Sequence, residues 1–189
     1  RARLRARPNQ ALTRPEGPVP TVQLETWPEM TAISIRFYGE LKEAYKPWLE
    51  LLSWARESVP DLANARFLGL WFDDWSGLDE SRYRYEASIV PATPLSEPPP
   101  NPFFIRTFDP GTVAVAHASG HLDLLNRAWM AFATGWLPFS GLQPRGEFVL
   151  DEYDADWMLA QPARQLVQSV LGKISIRMCL PVQDGPCEL

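Results

Sequence analysis

Asp151 and Tyr153 stand two residues apart in FVLDEYD (148–154), a run that reads as a β-strand. Side chains two apart on a strand leave by the same face, so this spacing converges a carboxylate and a phenol. If the face lines a cleft, burial raises the acid's pKa unless a cationic ligand compensates its charge. The same spacing serves a solvated face equally well. Glu86, flanked by Tyr83 and Tyr85, is a second acid in an aromatic strand, read first as the polar face of a half-exposed strand. Trp71, Phe72 and Trp75 are candidates for stacking on planar or cationic molecules. His117 and His121 have an H-x-x-x-H spacing, which suits a metal only on a continuous helix, and Gly120 lies between them. With no third ligand in sight, no metal is assigned, and no cofactor is expected. G-x-S-x-G, P-loop, G-x-G-x-x-G and C-x-x-C motifs are all missing from the sequence, which disfavours acyl or phosphoryl transfer. Carboxylate-assisted hydrolysis with Glu86, Asp151 or Glu152 as acid or base stays open, since paired acids need no local motif.

The elements that must position these residues come in two similar sets. Ala32–Glu40 (AISIRFYGE) alternates as a strand, and Leu41, Ala44, Trp48, Leu51 and Ala55 follow at helical spacing. Val113–His121 (VAVAHASGH) is followed likewise by Leu122, Leu125, Trp129, Phe132 and Trp136, each 81 positions later. Gly39 and Gly120 keep that offset and mark the strand-to-helix turns. The same offset lays Phe67, Phe72 and Asp73 over Phe148, Tyr153 and Asp154, and an offset of 90 lays Pro91 over Pro181. Pro47 is expected in the first turn of a helix opening near Lys46–Trp48, after a short turn at 40–45. Seven prolines within Pro91–Pro110 read as an extended crossover. The expected organisation is a basic, Pro-rich linker or tail (1–20), a domain over 21–182, and a tail (183–189). Within the domain, repeat one is 21–91, the crossover 92–110 and repeat two 111–182. The expected class is α+β, with tandem β-α-β-β modules, antiparallel sheets and a ligand cleft between them.

Composition bounds the rest. Hydrophobic residues are 46% of the 189 and charged residues 22%, enough apolar matter for a core. No apolar run approaches the ~20 residues of a membrane helix, and two cysteines imply no disulfide framework. Arg1, Arg3, Arg5, Arg7 and Arg14 precede every acid, so the remaining chain carries 13 cations against 23 acids, or −10. An acidic body disfavours direct binding to a phosphate backbone. With no apolar leader and no initiator Met, the chain reads as cytoplasmic, with a natural start upstream.

The second half resembles the gyrase-inhibitor-like (GyrI-like) effector-binding domain. The resemblance rests on Pro110–Gly111, His117, Gly120, Trp129 and the run Trp136–Leu137–Pro138–Phe139–Ser140–Gly141. Phe72–Asp73–Asp74 and Arg84–Tyr85–Glu86 extend it to residues 21–182. It implies a duplicated, SHS2-like strand-helix-strand-strand fold with a pocket between the copies. It moves Asp151 and Tyr153 toward that pocket, and with the candidates Trp71, Phe72, Glu86 and Trp75 they make up the expected ligand-binding residues. Where the family has Phe-Glu-x-Tyr, this chain has Leu150–Asp151–Glu152–Tyr153, an acid one methylene shorter. Nine additional residues within Trp157–Gly172 are a second departure. Such domains often end AraC-family transcription regulators, and that is the expected role: a sensor of a small, partly aromatic or cationic molecule. DNA would be reached only through a separate or upstream helix-turn-helix, with no membrane partner and with oligomers open. The alternatives are a hydrolase of cyclopropane-bearing or other strained molecules and a stand-alone gyrase modulator.

Overall fold

A computed structural model describes residues 19–73, 82–160 and 173–185. Eight strands form one antiparallel path: β1 (Val22–Trp27), β2 (Met30–Gly39), β3 (Arg66–Trp71), β4 (Tyr83–Val90), β5 (Phe104–Phe108), β6 (Gly111–Gly120), β8 (Val149–Tyr153) and β9 (Ile174–Asp184). Their order is β1-β6-β9-β8-β3-β4-β2-β5, and a short β7 (Leu142–Pro144) pairs with the end of β9. Two main helices cover one face, α1 (Lys46–Ser58) and α2 (Leu122–Met130), with a short α3 (Ala155–Ala160) beside them.

Local sequence accounts for the helices. Pro47 sits in the first turn of α1, where its missing N–H costs nothing, and a 3₁₀ turn at Leu41–Glu43 precedes it. Trp48, Leu51, Leu52 and Ala55 are buried against β2 and β4. Helix α2 buries Leu125 and Trp129, then widens into a π-helical stretch, Ala131–Trp136, that buries Phe132. The two helix-side cores meet at Val149, Tyr153 and Trp157, which pack against both.

The connections force the sheet to curl. Trp27 and Met30 are three residues apart, so their Cα atoms lie within about 11 Å, yet β1 and β2 are first and seventh in the sheet. Phe108 and Gly111 make the same jump from β5 to β6. The two edges therefore approach one another. Trp27, Met30, Phe108, Val113 and Leu150 pack together on the face away from the helices, inside the curl.

Two expectations need correction. Laying β3 on β8 with the offset of 81 would flip their faces, because a one-residue slip turns every side chain over. Phe67 and Trp71 face the helices, as do Asp151 and Tyr153, so Trp71 rather than Phe72 corresponds to Tyr153. Phe72 and Phe148 instead pack edge to face, ring centroids 5.7 Å apart, on the core inside the curl. Likewise Tyr85, Ala87 and Ile89 match the facing of Ile176, Met178 and Leu180, an offset of 91 rather than 90. The stretch 92–110 is also more than an extended crossover, since Phe104–Phe108 pairs with β2 as an edge strand. Strand β9 runs to Asp184, past the expected end of the second unit.

Candidate functional site

Strands β3 and β8 pair at the seam between the two sets of elements, with Gly69 opposite Asp151. Asp151 is 7% exposed and accepts two indole hydrogen bonds. Trp71 Nε1 of β3 donates to Oδ2 at 2.7 Å, and Trp129 Nε1 of α2 donates to Oδ1 at 2.8 Å. The carboxylate is thus bracketed by one tryptophan from each side of the seam. Burial raises its pKa from 3.8 to about 6, against the opposing pull of the bonds from Trp129 and Trp71.

Aromatic side chains close the chamber. Trp71 and Tyr85 lie with ring centroids 4.4 Å apart, and Trp48 meets Tyr153 edge-on at 5.6 Å. Trp48 Nε1 donates to the Tyr85 hydroxyl at 2.7 Å, whereas the Tyr85 and Tyr153 hydroxyls are 3.5 Å apart. Burial pushes both phenols above their ordinary range. Gly69 makes this convergence possible. A Cβ there would stand 2.3 Å from the Tyr85 hydroxyl and 3.0 Å from the Tyr153 ring.

Of the residues expected to form a site, Asp151, Tyr153 and Trp71 come together here. Phe72, Glu86 and Glu152 do not, because they lie on the face inside the curl. Glu86 is fully buried between Arg36 and Arg106, whose Nε atoms stand at 2.7 and 2.6 Å from its oxygens. Glu152 is held by Arg66 at 2.7 Å and Arg177 at 2.5 Å, and Arg177 also grips Glu25 at 2.6 Å. Trp75 falls outside the described residues. Trp48, Trp129, Tyr85 and Gly69 belong to the chamber and were not expected there. The signal was the tryptophan pair at equivalent helix positions, since a buried indole N–H demands a partner.

Among the described residues no cluster of His, Cys, Asp and Glu is arranged to hold a metal, and no helix is long and apolar enough to cross a membrane. The arrangement suits recognition of charge by an acid within an aromatic enclosure: a buried carboxylate binds a cation, and ring faces supply further attraction.

The fold is thus an α+β sheet with a buried carboxylate packed among tryptophans and tyrosines at its seam. The chain belongs to the GyrI-like small molecule binding domain family, which it matches over residues 20–165. No curated protein matches it by sequence. Among solved structures it is similar to the EcmrR C-terminal domain, with a TM-score of 0.61 and 14% identity over 88% of this chain and 99% of that one. It is also similar to EcmrR in its complex with DNA (TM-score 0.67, 15% identity, 88% of this chain), where it spans only 58% of the EcmrR chain. SAV2435 bound to tetraphenylphosphonium gives a TM-score of 0.56 at 11% identity, covering 86% of this chain and 94% of that one. A hydrolase from Listeria innocua gives 0.51 at 13% identity, covering 89% and 94%.

Proposed function

We propose that this domain is an effector sensor that holds a small cationic, partly aromatic molecule with Asp151 as its counter-charge. The observation that carries the reading is the position of Asp151: buried at the seam, with indole N–H donors from β3 and α2 on its two oxygens. Among the described residues two donors stabilise the carboxylate, so an incoming cation gains the charge that burial leaves poorly compensated. Trp71, Trp129, Tyr85 and Tyr153 supply ring surface around it. The structure of SAV2435 with tetraphenylphosphonium supports a cationic guest by likeness of fold.

The strand order supports the further reading that the fold is a duplicated strand-helix-strand-strand unit. From either edge, inside an outermost strand, it runs through the first, third and second strands of one set (β6, β9, β8 and β2, β4, β3), with the outermost β1 and β5 exchanged between sets. A ligand at the seam then touches both units, and differential affinity for two arrangements of the pair passes the signal on. The likeness to EcmrR in complex with DNA supports linking the domain to a regulator that contacts DNA; a cytoplasmic regulator of the AraC type with a separate helix-turn-helix is our extension of that reading, taken from the resemblance of the sequence to the family. Against a paired-acid hydrolase stands the separation of the acids: Asp151 faces the helices while Glu86 and Glu152 are locked by arginines on the other face.

Calorimetric titration with tetraphenylphosphonium at pH 7.5 tests the reading. Saturable one-site binding is expected, weakened at least tenfold by Asp151→Asn. Equal affinity of the two proteins would refute it.

A further inference from the structure

A groove of about 560 Å³ opens where β8 stops at Tyr153 while β3 and β9 run past it. Tyr153 pairs with Phe67 on one side and Ile176 on the other. Beyond it, Arg66 of β3 and Ile174–Ser175 of β9 have no strand partner on the side facing the gap, among the described residues. The sheet thus carries a notch one strand wide, about 10 Å between its flanks. The groove stands apart from Asp151. Glu152, Arg177 and His117 are register partners, as are Ser119 and Ser175, and these polar side chains leave the face inside the curl. Asp151 faces the helices.

We propose that this groove is an independent site for a short, extended peptide with both termini free, its carboxylate taken by Arg66 and Arg177 and its ammonium by Asp154.

The lining carries two cations, Arg66 and Arg177, against two acids, Glu152 and Asp154, so a guest of no net charge fits it. These charges are not equally spent. Glu152 has both oxygens occupied, one by Arg66 Nε and the other by Arg177 Nη1, and Glu25, outside the lining, takes Arg177 Nη2. Arg66 Nη2 and Arg177 Nε make no bond to a described residue, and neither is a buried orphan, so water reaches both. Asp154 is exposed and accepts the Trp157 N–H on Oδ1 at 2.8 Å, which leaves Oδ2 open. Free guanidinium N–H groups and a free carboxylate oxygen in one groove match the two ends of a zwitterion. A volume in the range of drug-sized sites is underfilled by a single amino acid and suits a short peptide. Ser175 donates to Ser119 at 2.9 Å, so the Ser119 O–H is left for a peptide carbonyl. The open flanks of β3 and β9 supply main-chain partners for an extended backbone, as in strand addition.

Trialanine, its C-terminal amide and its N-acetyl form test this by calorimetry at pH 6.5, where an α-amino group is protonated. Wild type is expected to bind trialanine at least tenfold tighter than either capped form. Asp154→Asn keeps an oxygen for the Trp157 N–H but loses the charge; it should bring trialanine down to the affinity of the N-acetyl form. Ser119→Trp, which fills the groove from an exposed position, should abolish trialanine binding, with His117→Trp as the second filling variant and thermal melts to show which is folded. Asp151→Asn should leave trialanine binding unchanged, so the site is decided whether or not Asp151 receives a cation. Equal affinity for the three peptides overturns the proposal, as does trialanine failing to saturate by about 10 mM. Undiminished trialanine binding by a folded, filled variant or by Asp154→Asn overturns it as well.

Discussion

Replacing Asp151 by Asn while varying pH probes the chamber most informatively. Burial lifts the Asp151 carboxyl from the ordinary 3.8 to about 6 in the folded protein. At about 1.36 kcal/mol per unit, ionising Asp151 in the folded protein removes about 3 kcal/mol of stability. The sign follows from the raised value: this stability is fully present below pH 3.8 and is lost as pH rises through about 6. Between pH 5.0 and 7.5 the linkage relation yields a loss on the order of 1 kcal/mol from this group alone. Asn removes the titration but cannot accept from both indoles. Its amide oxygen serves one, and its amide N–H groups face the other donor, at a cost of about 1–3 kcal/mol. The substitution is therefore near neutral at pH 7.5, where relief of the buried charge offsets the lost bond, and clearly destabilising at pH 5.0. Urea unfolding of both proteins, followed by tryptophan fluorescence, measures this, and other titrating groups cancel in the difference. A wild type minus variant difference that stays constant across that range would refute the burial argument.

Three other substitutions separate the chamber from its surroundings. Gly69→Ala places a methyl 2.3 Å from the Tyr85 hydroxyl; it should break the Trp48–Tyr85 bond and cost about 1–3 kcal/mol in chemical denaturation. Trp129→Phe removes one of the two indole donors to Asp151, which should push the carboxyl pKa further upward in a titration followed by NMR and lower stability by about 1–3 kcal/mol. Glu86→Gln weakens the pairing of Arg36 and Arg106; stability should fall by about 3 kcal/mol, with affinity for tetraphenylphosphonium unchanged. A selective loss of that affinity would bring Glu86 back as a ligand-binding residue.

Much of this chamber is legible from periodicity, and the remainder is not for identifiable reasons. The alternation around Asp151 and Tyr153 puts both on one face, and the α1 and α2 faces emerge from their 3.6-residue spacing. What periodicity cannot supply is the facing of one strand relative to another. Phe72 and Trp71 are adjacent aromatics, and only the ladder pairing Trp71 with Val149 assigns the first to the interior of the curl and the second to the chamber. Edge strand β5 was hidden among prolines, because its partner β2 lies some 70 residues away in the chain. Glu86 looked like the polar side of a half-exposed strand. Its burial depends on Arg106 arriving from that same hidden strand. The tryptophans at 48 and 129 share the helical spacing of the apolar faces and are buried, but their indole N–H groups make them polar parts of the site as well.

If Asp151 supplies the charge that receives a cation, binding has a direct signature in proton release. At pH 5.5 a carboxyl with a pKa of about 6 is roughly three-quarters protonated, and a permanent cation binding to its ionised form must expel that proton. Calorimetry of tetraphenylphosphonium binding in two buffers of different ionisation enthalpy counts it. Release of about three-quarters of a proton per cation is expected at pH 5.5 and close to none at pH 7.5. Binding at pH 5.5 with no proton released would contradict that role for Asp151.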